Sequence, residues 1–261
     1  MHAIRFLAAF AAASITSLPA AGAQCSAQSG ERTAVLVELY TSEGCDSCPP
    51  ADRWLSSLQS KGYTPDKVVP LALHVDYWDY IGWKDPYAKR VFATRQRRLA
   101  DLKRAKIIYT PQVLLQGQDF RHWDSAEFSS AVEKLNHQAP RAKIGLTLNA
   151  MGRTSVDVTF TAELLSAAER KDAALYLAAF ENKLSSQVSA GENKGKTLPH
   201  DYVVREWIGP IGFDAALRLA EKRVLPLLPE ANPRQSGVAA FVQNRSTGEV
   251  LQALMLPACA G

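Results

Sequence analysis

Cys45 and Cys48, two of the four cysteines in this chain of 261 residues, are spaced as Cys-x-x-Cys. Two thiols at that spacing can close a disulfide, open it again and resolve a mixed disulfide with a second protein. Zinc is the other common use of the spacing, but a structural zinc site needs two more ligands close by and none follow. The pair lies within Thr41-Ser42-Glu43-Gly44-Cys45-Asp46-Ser47-Cys48-Pro49-Pro50. Before it runs the apolar stretch Ala34 to Tyr40, the pattern of a strand covered on both faces. After it Ala51, Trp54, Leu55 and Leu58 recur with helical period. Cysteines at such a strand-to-helix turn meet the unpaired N–H groups and dipole of a helix N-terminus, which favour the attacking thiolate.

Other residues could serve the pair. Glu38, flanked by Leu36 and Tyr40 on its strand face, is either a buried carboxylate beneath Cys48 that relays its proton or a strand-end group reaching solvent. His74, in His74-Val75-Asp76 at the end of a second strand, could join Cys45 and Cys48 around Cu(I), since soft sulfur selects that ion. A hydrogen-bonded strand-end histidine is the simpler reading. Tyr77, Trp78, Tyr80 and Trp83 either line a groove beside the cysteines or plug a loop onto the core. Lys89 to Lys106 carries eight basic residues against Asp101 alone and reads as a solvated helix face. Gly191-Glu192-Asn193-Lys194-Gly195 and Leu198-Pro199-His200-Asp201-Tyr202, dense in polar and loop residues, either form a site, since loops carry function, or a glycine-rich turn between strands, the commoner case. No P-loop or dinucleotide fingerprint is present. Cys25 and Cys259 stand near opposite ends of the chain, where termini often lie close, and are expected to form a structural disulfide.

The elements that must hold these residues fall into two rhythms. Val68 to His74 is a second strand, and Asp85-Pro86 opens a helix reaching about Arg104. Pro111 to Gln116 and Phe120 to Trp123 are short strands, and Ser125 caps a helix through Asn136. The order β-α-β-α-β-β-α favours a right-handed parallel crossover. After Ala139-Pro140 come alternating strands at Ile144–Leu148, Val156–Phe160, Leu175–Phe180 and Tyr202–Trp207, then a hairpin around Ser246-Thr247-Gly248. This second part reads as a β-sandwich; Ala215 to Leu228 fits neither period. The expected domains are 31–139 and 141–259. Residues 1–23, with Arg5, the run Phe6 to Ala13 and Ala21-Gly22-Ala23, have the form of a cleaved signal peptide, whose apolar run is too short for a membrane span. That places the chain in the periplasm or outside the cell, where disulfides persist. The balance of 30 basic and 26 acidic residues does not argue for nucleic acid.

Leu39 to Asp52 (LYTSEGCDSCPPAD), Tyr109 to Gln112 (YTPQ) and Gly191 to Trp207 (GENKGKTLPHDYVVREW) resemble a bacterial secreted family of unknown function that carries a thioredoxin-like domain. The resemblance implies an α/β thioredoxin-like domain followed by an all-β one. It makes Cys45 the exposed nucleophile, Cys48 the resolving thiol and Pro111 an adjacent cis-proline. Pro49 and Pro50 depart from the thioredoxin pattern, because a residue before proline avoids helical angles and Cys48 becomes a candidate N-cap. Asp46 opposes ionisation of Cys45, so the couple is expected to be more reducing than a strong disulfide donor.

The leading expectation is a thiol–disulfide oxidoreductase acting on exported protein thiols or disulfides. It would use Cys45, Cys48, Pro111 and Glu38, with no bound cofactor, an unidentified electron donor, and neither nucleic acid nor a membrane span involved. The rivals are a Cu(I)-handling protein using Cys45, Cys48 and His74, and a binding module whose Cys-x-x-Cys disulfide is static.

Overall fold

A computed structural model describes residues 24–151, 154–227 and 230–259; the expected signal peptide, residues 1–23, lies outside the described residues. The chain opens with β1 (Cys25–Gln28), β2 (Val35–Thr41), α1 (Pro49–Ser57), β3 (Val68–His74), α2 (Arg90–Leu102), β4 (Gln112–Leu115), β5 (Gln118–Asp119) and α3 (Ala126–Asn136). The hairpin of β6 (Ala142–Met151) and β7 (Ser155–Leu164) follows, then β8 (Ala173–Glu181), β9 (Leu184–Gln187) and β10 (Thr197–His200). The last strands are β11 (Val203–Gly212), β12 (Arg218–Pro226), β13 (Ser236–Asn244) and β14 (Val250–Pro257).

The expected α/β thioredoxin-like domain followed by an all-β domain is not what forms. The chain is mostly β, 41% strand against 20% helix, in three sheets. The largest has eight strands in the order β14-β13-β8-β11-β3-β2-β4-β5, so strands from both halves share one sheet. The join is parallel: Val203 of β11 lies opposite Ala72 of β3, and the Ala72 N–H donates to the Tyr202 carbonyl at 2.8 Å. The physical reason is the edge of β3. All seven of its residues are buried, and an open edge there would leave buried backbone groups unpaired. The start of β11 supplies a partner at Ala72, and the Lys89 N–H donates to the His74 carbonyl.

Alternation along the shared strands makes two cores. Ala174, Tyr176, Ala178 and Phe180 of β8 face the core that includes the helices. Ala173, Leu175, Leu177 and Ala179 face a second core formed with the four-stranded sheet β1-β6-β7-β12. The unbroken apolar run of β8, buried at all nine positions, thus fits a sheet coated on both sides. Ala215 to Leu228, which fitted neither period, contains β12, an edge strand paired to β7 along its full length. Cys25 and Cys259 are joined in a disulfide with Cα atoms 5.6 Å apart.

β2 and β3 run parallel, Val35 opposite Val68 through Thr41 opposite His74. Both strands therefore end at one level. The faces of β2 are distinguished by their contacts. Thr41 donates to Asp52 of α1 at 3.2 Å, whereas Glu38 meets Arg95 of α2 at 2.6 Å.

Candidate active site and its buried polar network

The cysteine turn begins where β2 ends. The Cys45 N–H donates to the Ser42 carbonyl and the Cys48 N–H to the Cys45 carbonyl. Cys48 is the N-cap of α1 at φ −77°, ψ −38°, a right-handed conformation that a residue before proline normally avoids. Pro49 and Pro50 fill the first two helical positions and supply no N–H there. The next two N–H groups, of Ala51 and Asp52, donate to the Cys48 carbonyl. Cys45 and Cys48 are disulfide-bonded, with Cα atoms 5.4 Å apart.

Cys45, expected as an exposed nucleophile, is 1% exposed, and Cys48 is 0% exposed. A remote loop covers the turn. Asn193, wholly buried, donates its Nδ2 to the carbonyls of Glu43 at 2.8 Å and Cys45 at 2.9 Å. The Glu192 carboxylate accepts from the Asp46 N–H at 3.0 Å, and Lys196 donates to Asn193 Oδ1 at 2.8 Å. On another side a Cβ added at Gly44 would lie 3.2 Å from both Ile81 Cδ1 and Trp78 Cβ. The aromatic loop is thus seated directly on the turn, and its glycine is a matter of space.

Beneath the turn lies a buried polar cluster. His74 Nδ1 is 2.7 Å from Asp85 Oδ2, and Asp85 also accepts from the N–H groups of Glu43 and Tyr87 at 2.9 Å. His200 Nε2 is 3.0 Å from Glu43 Oε1, whose other oxygen accepts from Trp83 Nε1 at 2.8 Å. The two imidazoles meet edge to face, 4.9 Å between centroids. Asp52 stands one turn after Cys48 on α1. Burial pushes its carboxyl above the ordinary range, against the pull of both histidines. Burial would push His74 down, but the charge and hydrogen bond of Asp85, with Asp52 and Glu43, hold it above its usual value. Burial would likewise raise Asp85, and His74 with two backbone N–H groups holds it below.

Glu38 is fully buried, but on the face of β2 opposite Thr41 and α1. Its oxygens accept from Arg95 Nε at 2.6 Å and Nη2 at 3.0 Å, and from the Tyr40 hydroxyl at 3.2 Å. The Arg95 guanidinium packs over Tyr176, Trp207 and Phe241, joining the two halves of the large sheet. Strict alternation on β2 therefore keeps Glu38 from acting as the relay beneath Cys48. Besides the exposed Asp46, the buried carboxylates of the cysteine turn and α1 are Glu43 and Asp52, which sequence reasoning passed over. Pro111 follows a cis peptide bond and precedes Gln112, which pairs with Tyr40 of β2, so it stands at the same end of the sheet as the cysteine turn. The side chain of Thr110 accepts from Trp78 Nε1 at 2.7 Å. His74 offers Nε2 towards Asp52 and His200, while the two sulfurs are bonded to each other. The basic tract is mainly exposed apart from Arg95.

This is the architecture of a mostly β protein with a covered Cys-x-x-Cys disulfide above a buried histidine–carboxylate cluster. The chain belongs to a family described as protein of unknown function (DUF1223), which matches residues 36–243. Among solved structures it is similar to protein AGR_C_4864 from Agrobacterium tumefaciens, at 24% identity and a TM-score of 0.64, over 89% of this chain and 98% of that one. It is also similar to HBP35 of Porphyromonas gingivalis, at 16% identity and a TM-score of 0.62, over 89% and 79%. At these identities the likeness is one of fold. No curated protein matches the chain. Among the described residues no helix is long and apolar enough to cross a membrane.

Proposed function

We propose that the protein is an exported thiol–disulfide exchange protein in which Cys45–Cys48 reacts with protein thiols once the loop bearing Glu192 and Asn193 lifts. The observation that carries this reading is a disulfide between residues three apart at a helix N-terminus, covered by a loop tied down through a few side-chain hydrogen bonds. A client thiolate attacks Cys45 Sγ, the Cys45–Cys48 bond breaks, and Cys48 leaves as a thiolate next to the helix N-terminus. A second client thiol then attacks the mixed disulfide and releases reduced Cys45. The client dithiol becomes a disulfide, and the cycle runs backwards when the client is the oxidant. The leader-like residues 1–23 and the Cys25–Cys259 disulfide support an oxidising compartment.

Exposures of 1% and 0% favour a second reading, a binding module braced by a static disulfide. Against it, closing so small a ring stabilises a fold by only about 2 kcal/mol on the chain-entropy account. Dithiothreitol-driven reduction of insulin separates the two. Wild type should accelerate it and Cys45→Ser should abolish the acceleration; a wild type no faster than Cys45→Ser overturns the exchange reading in favour of the brace.

A further inference from the structure

We propose that Asp52, His74 and His200 form a binding site for a divalent transition-metal ion of the zinc class. The site stands independently of the exchange chemistry proposed above. Each of the three offers one ligand atom, and those atoms lie within 4.8 Å of one another. Tetrahedral ligands at about 2.1 Å from a zinc ion sit about 3.4 Å apart, within reach of small side-chain rotations from this arrangement.

The side-chain atoms left without a hydrogen-bond partner on these residues are Asp52 Oδ1, His74 Nε2 and His200 Nδ1. They make up three of the four buried side-chain polar atoms without a hydrogen-bond partner among the described residues. Their side chains are 6%, 0% and 2% exposed. A buried polar atom left unpaired is costly, so three on neighbouring side chains call for a common partner. A cation supplies it.

The far side of every ligand is already fixed. Nδ1 of His74 is held by Asp85, Nε2 of His200 by Glu43, and Oδ2 of Asp52 accepts from Thr41. With Nδ1–H of His74 donating to Asp85 and Nε2–H of His200 donating to Glu43, the opposite nitrogen of each neutral ring keeps its lone pair. This is the outer shell that metal-binding histidines use to set tautomer and orientation. Charge points the same way. Glu43, Asp52 and Asp85 are three buried carboxylates, and the only basic groups bridged to them among the described residues are the two histidines. A dication offsets two of the three negative charges with both imidazoles neutral.

Two nitrogens and one oxygen suit a borderline ion such as Zn²⁺ or Co²⁺. They suit neither Mg²⁺ and Ca²⁺, which prefer all-oxygen sites, nor Cu(I), whose soft ligands are here locked in a disulfide. Three protein ligands also leave a fourth position, as in zinc sites that bind water or a substrate atom. Three remote segments meet at the ion, α1, β3 and β10, and β10 continues directly from the loop that covers the cysteines.

The test uses the untagged full chain with both disulfides intact, so that no thiol can ligate. Titrated with Co²⁺, the wild type should bind one ion per chain and show the visible bands of a low-symmetry tetrahedral site, which Zn²⁺ then displaces. His74→Gln and His200→Gln should each weaken binding by at least about 100-fold, the upper end of what loss of an outer-shell partner costs. His122→Gln, at an exposed histidine, should leave it unchanged. Zinc-edge X-ray absorption on the wild type needs no variant and guards against misfolding of the glutamine mutants. Two imidazoles with oxygen in the first shell support the site. No stoichiometric binding, binding that survives His200→Gln, or sulfur in the first shell overturns it.

Discussion

Replacing Asn193 with alanine removes the hinge pin of the cover. In the closed state its Nδ2 satisfies two buried carbonyls, of Glu43 and Cys45, at 2.8 and 2.9 Å. When the loop lifts, water can satisfy both. Two such bonds contribute about 1 kcal/mol each, so Asn193→Ala should favour the open form by about 2 kcal/mol, roughly 30-fold in the opening equilibrium. If reduction of Cys45–Cys48 proceeds through that opening, its rate with dilute dithiothreitol should rise by about 10- to 30-fold. Quenched thiol labelling and peptide mapping would follow the two disulfides separately, with Cys25–Cys259 reduced no faster than in wild type. Urea unfolding in parallel should show a fold that remains intact. An unchanged rate in a well-folded variant would refute the gating argument. So would a rise shared equally by both disulfides, because that signals global opening.

Three further outcomes follow from the same geometry. Pro50→Ala restores an N–H at the second position of α1, where an N-cap side chain finds its donor; one added bond to the Cys48 thiolate should raise the reduction potential by about 30 mV, a tenfold shift in equilibrium with glutathione. Glu38→Gln leaves Arg95 uncompensated inside the aromatic cage and should cost about 3–5 kcal/mol in urea unfolding, while Glu38→Leu combined with Arg95→Met should recover much of it. Replacing Cys25 and Cys259 together by serine opens a link spanning 234 residues, and should lower stability to urea by about 5 kcal/mol on the chain-entropy account. That variant should keep wild-type insulin reduction at a temperature where it remains folded.

Local signals carried the reading of β2, the cysteine turn and α1, because an apolar run, a turn motif and a helical period lie within 25 residues there. The buried sheet end at His74 was equally visible as the close of an unbroken apolar strand. What the local pattern does not encode is which strand lies next to which. Val203 meets Ala72 across 131 positions, and nothing in either segment names the other, so the later strands read as a separate sandwich. Glu38 was rightly marked as a charge too costly to leave unpaired in an apolar strand. Its partner, Arg95, looked like one more residue of a solvated basic face. His200 carried a usable sign: in Thr197–His200 the burial alternates, with Leu198 and His200 inward. A histidine two positions from a core leucine on a strand shares its face, yet the surrounding glycines and lysines drew the reading towards a plain turn. The cover over the cysteines comes from that same remote segment, which is why Cys45 was expected to be exposed.

The most direct measurement is a glutathione titration of the folded protein, with acid quenching, thiol labelling and circular dichroism at each point. The account predicts one reversible two-electron transition confined to Cys45 and Cys48, more reducing than the roughly −120 mV of a strong disulfide donor, with native circular dichroism throughout. Labelling of these cysteines only where the circular dichroism signal of the fold is lost would contradict it.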